Sequence, residues 1–357
     1  MTNYLDSKNF PDKNICTELD KKLATLLARD YTGNFYSQLA GYQRVLADNL
    51  QPSRWPVIYD KLRTLFMCGR AIPLDGPMVG IPMSIKDSDF FQGVGRKSAF
   101  ERSDLARLDL LAHLWNATFA DTGLWMGKTF EPVTREVVKQ KCNDNPDVMA
   151  AYDKNITRIG RNFFREIADP NPFQTLGLPA ITLAWKLKAR PLSVNEKGFD
   201  GTLLQHNLDM EKAIPYSRTG GFYLADMGNS VLPDMAGKPV YALNYRWPNL
   251  HPSFPMTCLI DEVVQIDEGI YLGQLIYATR HFSLGAIELP HMAGVEAGEP
   301  YTATEQDYGY QNNGYFLLMD PAYATQIYAD TAFPQLRPHP QKADDIKPDS
   351  REISHET

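Results

Sequence analysis

Paired cysteines are missing from this chain. Cys16, Cys68, Cys142 and Cys258 stand far apart, so neither a Cys-x-x-Cys zinc knuckle nor a Cys-x-x-Cys-His haem attachment is written. They read as free, mostly buried thiols. Also missing is an apolar run long enough to span a bilayer. The opening stretch 1–22 carries Asp6, Lys8, Asp12, Lys13 and Glu18 and lacks the apolar core of a secretory signal, so the expectation is a soluble, cytoplasmic protein without a membrane span. Positive charge is in deficit, with 36 Lys and Arg against 43 Asp and Glu and a net charge of -7. Such a balance argues against a surface built to neutralise phosphates, and no nucleic-acid partner is expected.

Several catalytic signatures are absent as well. There is no Gly-x-Ser-x-Gly elbow and no His-Glu-x-x-His pair. Gly93-Val94-Gly95-Arg96-Lys97-Ser98 departs from a phosphate loop because Phe91 and Arg96 stand where glycines belong. Gly220-Gly221 precedes a strand, whereas a phosphate loop leads into a helix. Both glycine pairs read as turns, and no internal repeat is evident.

What is present is a chain of 357 residues with 43% hydrophobic and 22% charged residues, rich in tyrosine and phenylalanine. That length suits one large domain with insertions or two domains. Leu19, Leu23, Leu26 and Leu27 share a helical face behind Thr17-Glu18-Leu19-Asp20. Phe35, Tyr36, Leu39, Tyr42 and Leu46 repeat that spacing, and Pro56 opens a third run with Ile58, Leu62, Leu65 and Phe66. Residues 1–75 therefore read as an N-terminal helical region. At Ile81, Met83 and Ile85 the period changes to that of a strand. A further helix is expected over 104–119, which includes His113, and extended structure over 124–130.

Residues 76–336 read as a β-rich, barrel-like domain with an insertion at about 133–220. Strands are expected at 221–225, 240–247, 256–266, 269–279, 282–289 and 315–320. The best hairpin joins 256–266 to 269–279, since only Asp267-Glu268 separates the runs and Gly269 accepts a positive φ. In its second strand Tyr271, Gly273, Leu275 and Tyr277 alternate with Ile270, Leu272, Gln274 and Ile276, both faces being substantially apolar. The tail 337–357 is rich in Pro, Asp, Lys and Glu and is expected to be disordered. The fold class is α+β, with N-terminal helices packed on an antiparallel β-barrel or sandwich.

Two family resemblances can be quoted. Gly76-Pro77-Met78-Val79-Gly80-Ile81-Pro82-Met83-Ser84-Ile85-Lys86-Asp87 resembles the lysine segment of the amidase-signature hydrolases, which would make Lys86 the base of a serine relay. Gly127-Lys128-Thr129 and Leu176-Gly177-Leu178-Pro179-Ala180-Ile181 are similar to two further stretches of that family, the second of them a strand. Its chemistry also needs a nucleophile from a Gly/Ser-rich loop. No serine stands between Thr129 and Leu176.

The other resemblance is to the uncharacterised proteins named for a Gly-x-Trp-x-Gly element. Gly76-Pro77-Met78-Val79-Gly80 keeps both glycines, with Met78 in place of the tryptophan. Trp125-Met126-Gly127-Lys128-Thr129-Phe130 is similar to that family's Trp-x-Gly-Lys-x-Phe stretch. The segment 255–275, with Asp261, Val264, Asp267 and Gly273, is similar to its closing hairpin. This resemblance implies a calycin-like antiparallel barrel enclosing one small apolar ligand.

On that reading Lys128 is the residue of most interest, because an inward lysine would meet an acidic group of the ligand. Lysines are mostly exposed, so an outward position is the ordinary alternative. Tyr245, Tyr271, Gln274 and Tyr277 are the other candidate ligand-binding residues, with ordinary strand packing as their alternative. His251, His281 and His291, with Asp261 and Glu262 between them, raise the possibility of a metal or haem-iron site across neighbouring strands. No His-x-His spacing supports it, and surface histidines are the simpler reading. The favoured function is binding of a small apolar or acidic-apolar molecule, with catalysis on it left open. An amidase-type hydrolase and a metal- or haem-dependent enzyme are the alternatives, and the sequence names no cofactor.

Overall fold

The computed structural model describes residues 4–30, 35–47, 54–84, 124–166, 170, 172–184, 186–189, 216–252, 256, 259–278 and 310–327. Three helices lead: α1 (Lys13–Asp30), α2 (Phe35–Ala47) and α3 (Trp55–Cys68). The Asp12 carboxylate accepts from the Asn14 N–H at 2.8 Å at the start of α1, four to five residues earlier than the Thr17 signal suggests. Pro56 sits in the first turn of α3, where its missing N–H costs nothing.

The strands follow: β1 (Gly76–Ser84), β2 (Trp125–Pro132), β3 (Arg158–Phe164), β4 (Lys188–Ala189), β5 (Arg218–Asn229), β6 (Pro239–Asn244), β7 (Leu259–Asp267), β8 (Ile270–Ala278) and β9 (Tyr310–Met319). Helices α4 (Arg135–Lys141) and α5 (Pro146–Ala151) join β2 to β3, α6 (Pro172–Ala184) follows β3, and α7 (Pro321–Ile327) follows β9. All the strand pairings are antiparallel, in the order β3-β2-β1-β9-β8-β7-β6-β5-β4. β3 also pairs with β5, from Arg158↔Ala225 to Phe164↔Arg218. That pairing closes eight strands into a barrel and leaves β4 as an appendage. Closure removes the free edges that an open sheet would expose.

This closure corrects the reading of 133–220 as an insertion: β3 lies inside that stretch and is a barrel stave on which closure depends. Its sequence, Arg-Ile-Gly-Arg-Asn-Phe-Phe, lacks a polar/apolar alternation because both faces are covered, and all seven residues are buried. The segment 176–181, likened to a strand, lies within helix α6. The expected helix at 104–119, the strand at 282–289 and the tail 337–357 lie outside the described residues. The β7–β8 hairpin runs from Leu259↔Tyr277 to Asp267↔Ile270, and Gly269 takes φ 63° at the turn.

Strand alternation sorts side chains into lumen and outer face. On the outer face, Tyr315 of β9 meets Tyr59 of α3 with ring centroids 5.8 Å apart, and Gln43 of α2 donates to the Pro82 carbonyl of β1 at 2.7 Å. A second outer cluster, with Val138, Ile159, Leu224 and Trp247, packs α4 and α5 over β3 and β5. Lys238, fully buried, donates to the carbonyls of Gly69 at 2.6 Å and Asn9 at 3.1 Å, binding the β5–β6 connection to the N-terminal region.

Inside, three strand glycines seat aromatic rings. A Cβ on Gly80 would stand 2.6 Å from the Trp125 ring, one on Gly160 2.3 Å from the Tyr223 ring, and one on Gly273 2.1 Å from the Phe316 ring. Real Cβ atoms do not approach so closely, so each ring occupies the volume that a side chain would fill.

Gly160→Ala and Gly273→Ala are therefore expected to lower the unfolding free energy by about 1–3 kcal/mol or more through overpacking. Gly228→Ala, with open space around its Cβ, should change it little. Urea denaturation of the three variants measures the difference, and equal effects at all three would contradict the ring-seat reading.

Burial also lowers the Lys238 ammonium from its ordinary 10.5 to about 8. Between those two values the unfolded chain binds the proton that the folded chain has released, so the contribution of Lys238 to stability rises with pH across this interval. Wild type measured against Lys238→Met by thermal denaturation should gain ground from about pH 8 upward; a loss over that interval would refute the assignment.

Candidate functional site

The barrel has two unlike ends. At one, β7 and β8 are joined by the tight turn at Gly269, and β5 and β6 by residues 230–238. From the other leave the long connections 85–124, 165–217, 245–258 and 279–309. Varied loops on a rigid scaffold are where binding groups concentrate. Lys128, Asn162, Tyr245 and Asp261 all lie in the half of the barrel nearer this second end.

Lys128 points into the lumen and is 3% exposed. It pairs across strands with Met78 on β1 and Asn162 on β3. A bulge between Trp125 and Gly127, where Gly127 takes φ 136°, turns the Trp125 ring toward the lysine. The Lys128 Nζ donates to Asn162 Oδ1 at 2.7 Å and to the Tyr245 hydroxyl at 2.5 Å, and lies 2.8 Å from Asp261 Oδ2. Its three N–H groups thus have three acceptors.

The acceptors are themselves held. Tyr245 donates its hydroxyl hydrogen to Asp261 Oδ2 at 2.7 Å, Trp125 Nε1 donates to Asn162 Oδ1 at 3.0 Å, and Asn162 Nδ2 donates to the Gly221 carbonyl at 2.9 Å. Around the amine stand the rings of Trp125, Tyr223, Tyr245 and Phe316, with centroids 5.2–5.4 Å from Nζ. A desolvated ammonium gains up to about 2 kcal/mol from such a ring face. Three of these four rings are the ones seated on Gly80, Gly160 and Gly273.

Burial lowers the pKa of Lys128, and the adjacent Asp261 carboxylate opposes that shift. Both Tyr245 and Tyr223 are pushed well above the ordinary phenol, chiefly by burial and then by the Asp261 charge. Asp261 is 1% exposed, and its second oxygen, Oδ1, has no hydrogen-bond partner in the described structure. A buried carboxylate oxygen left this way costs free energy unless a donor reaches it.

The other sequence candidates are placed differently. Gln274 is not a lumen group: alternation sends it to the outer face, where it donates to Glu262 Oε2 at 2.7 Å and accepts from Asn312 Nδ2 at 2.8 Å. Tyr271 shares the parity of Gly273 but sits at the tight-turn end, opposite Gln265 and Leu318. Tyr277 pairs through its backbone with Leu259 and Gln311. Asp261 and Glu262 face opposite sides of β7, so they cannot share a metal. His251 is exposed at φ 52°. His113, His281, His291, Lys86 and Cys258 lie outside the described residues. Among the described residues no group of three or more His, Cys, Asp or Glu could hold a metal ion, and Cys16, Cys68 and Cys142 are free thiols.

Sequence reading missed Asn162, Trp125, Tyr223 and Phe316 as site residues. Lys128 and Tyr245 were legible from extended segments. Asn162 was hidden by the unread strand β3, and no local signal pairs a glycine on one strand with a ring on another.

Comparison with known proteins found no matching family model, no matching curated protein and no matching solved structure. The class defined by the fold and the site is a closed eight-stranded antiparallel barrel with helices and a caged lysine–aspartate pair in its lumen.

Removing one partner of a buried pair leaves an uncompensated charge. Asp261→Leu and Lys128→Met are each expected to destabilise by about 3–5 kcal/mol, whereas the double variant Lys128→Met/Asp261→Leu recovers most of that loss. Chemical denaturation in a double-mutant cycle reads the coupling, and simple additivity would show that the pair is not coupled.

Proposed function

We propose that this protein binds a small, largely apolar molecule at the long-connection end of its barrel, with the ligand's neutral polar end group at Lys128 and Asp261. The observation that carries the reading is the unpartnered Asp261 Oδ1 beside a fully engaged lysine in a lumen lined by aromatic rings. A ligand hydroxyl would donate to that oxygen. An acidic end group suits the site less well, because the charge of Lys128 is already matched by Asp261 and a second carboxylate would repel it.

Eight strands leave an interior that side chains can fill or that can hold one small ligand. A cleft of about 670 Å³ between α6 and the starts of β2 and β5 supports access at this end. It is lined by Leu124, Leu178, Pro179 and Leu183 and adjoins Trp125 through the chain at Leu124. The calycin-like assignment and the N-terminal helices packed on the barrel belong to the same proposal, supported by the Tyr59–Tyr315 and Gln43–Pro82 contacts.

Cinnamyl alcohol, apolar and neutral with one hydroxyl, is a suitable probe. The full chain should bind one molecule, seen by native mass spectrometry and by a change in tryptophan fluorescence arising at Trp125. Asp261→Asn should weaken binding by about tenfold, because a neutral amide oxygen accepts more weakly than a carboxylate. No complex even at millimolar probe would sink the reading.

A further inference from the structure

We propose that Lys128 is an amine nucleophile that holds an apolar aldehyde or ketone as an imine on its Nζ. This deepens the ligand-binding reading above and rests on it. Four observations converge. The amine projects into the lumen from a strand rather than a loop, so its position is rigid. It touches a carboxylate at 2.8 Å and a phenol at 2.5 Å, which in turn bond each other at 2.7 Å. Four ring faces supply an apolar surround for the carbon skeleton. Asp261 Oδ1, one carboxylate oxygen away from the amine, is free to accept from a hydroxyl formed there.

The chemistry balances without an external oxidant or reductant. Asp261 takes one proton from the Lys128 ammonium through its contact at Oδ2. The freed Nζ lone pair adds to the carbonyl carbon, the carbonyl π pair moves to oxygen, and one of the two protons on the now cationic nitrogen passes by way of Tyr245 to that oxygen, giving a neutral carbinolamine. Its hydroxyl donates to Asp261 Oδ1. The proton held by Asp261 converts this hydroxyl to water, which departs, and the last nitrogen proton passes to the Asp261 carboxylate, leaving the carbon–nitrogen double bond. The net reaction is amine plus carbonyl to imine plus water. Tyr245, bonded to both Lys128 and Asp261, is placed to pass protons between them. Desolvation favours the neutral amine that the addition needs, which is why lysines in dry sites serve in this role.

A lysine kept only for structure would have the same hydrogen bonds, so the test must read covalent chemistry. The full chain is incubated near neutral pH with less than one equivalent of cinnamaldehyde and sodium cyanoborohydride, digested and mapped by mass spectrometry. The expected result is one reduced cinnamyl group, found predominantly on Lys128 over the exposed lysines such as Lys21, Lys22 and Lys139. Tyr245→Phe, which keeps the ring and removes the proton relay, should slow that labelling at least severalfold while leaving labelling of the exposed lysines unchanged. Label spread over surface lysines with Lys128 unmodified overturns the inference. In that event cinnamyl alcohol separates the two ideas: if the alcohol binds, only the imine is wrong, and if it does not, the binding reading falls as well.

Discussion

A primary amine shut inside a protein must find its partners among protein groups, since water is not there to supply them, and much of this barrel is arranged around that requirement. Lys128 meets an oxygen from each of three other strands or strand ends: Asn162 on β3, Tyr245 just past β6, and Asp261 on β7. Those segments belong to opposite walls of the cylinder. The amine therefore ties the walls together across the lumen, and its satisfaction depends on the closing pair β3–β5. A barrel opened at that seam would keep Asn162 beside Lys128 on the paired strands β2 and β3 but carry Tyr245 and Asp261 away, leaving the cation without its countercharge.

The aromatic cage follows from the same constraint. A narrow lumen cannot hold four large rings at strand positions that also carry side chains opposite them. The conflict is resolved by glycine: the rings of Trp125, Tyr223 and Phe316 each lie on a neighbouring strand where no Cβ stands. The resulting surface is apolar and can stabilise a cation through ring faces, so burial of charge and hydrophobic packing support each other. On the outside a second set of polar groups, Glu262 with Gln274 and Lys238 with two backbone carbonyls, joins the β5–β6 connection to the sheet and to the N-terminal region. These groups are as deeply buried as the lumen pair, yet their hydrogen bonds go to the protein's own backbone and amides. The unpartnered oxygen of Asp261 is what sets the lumen pair apart from them.

Much of the scaffold could be read before any coordinates. The three leading helices carry their apolar residues at helical spacing, and Leu39, Leu62 and Leu65 are fully buried in the observed core. The β7–β8 hairpin announced itself through two apolar runs and a glycine at the turn. Strand β3 did not, because a strand covered on both faces has no alternation. Its Arg158, Arg161 and Asn162 resemble the charged, irregular sequence of an exposed insertion. Helix α6 misled in the opposite direction: its short apolar run and internal Pro179 read as something other than a helix.

By itself the sequence determined the periodicities, and with them the helical front, the β-rich remainder and the extended segment carrying Lys128, because those depend on neighbours a few residues apart. The tertiary structure alone decided that β3 closes the ring, that Gln274 faces outward while Lys128 faces inward, and that Gly80, Gly160 and Gly273 lie beneath rings from other strands. Each of those facts depends on register between segments separated by tens of residues. In a sheet, one step of register exchanges lumen for surface.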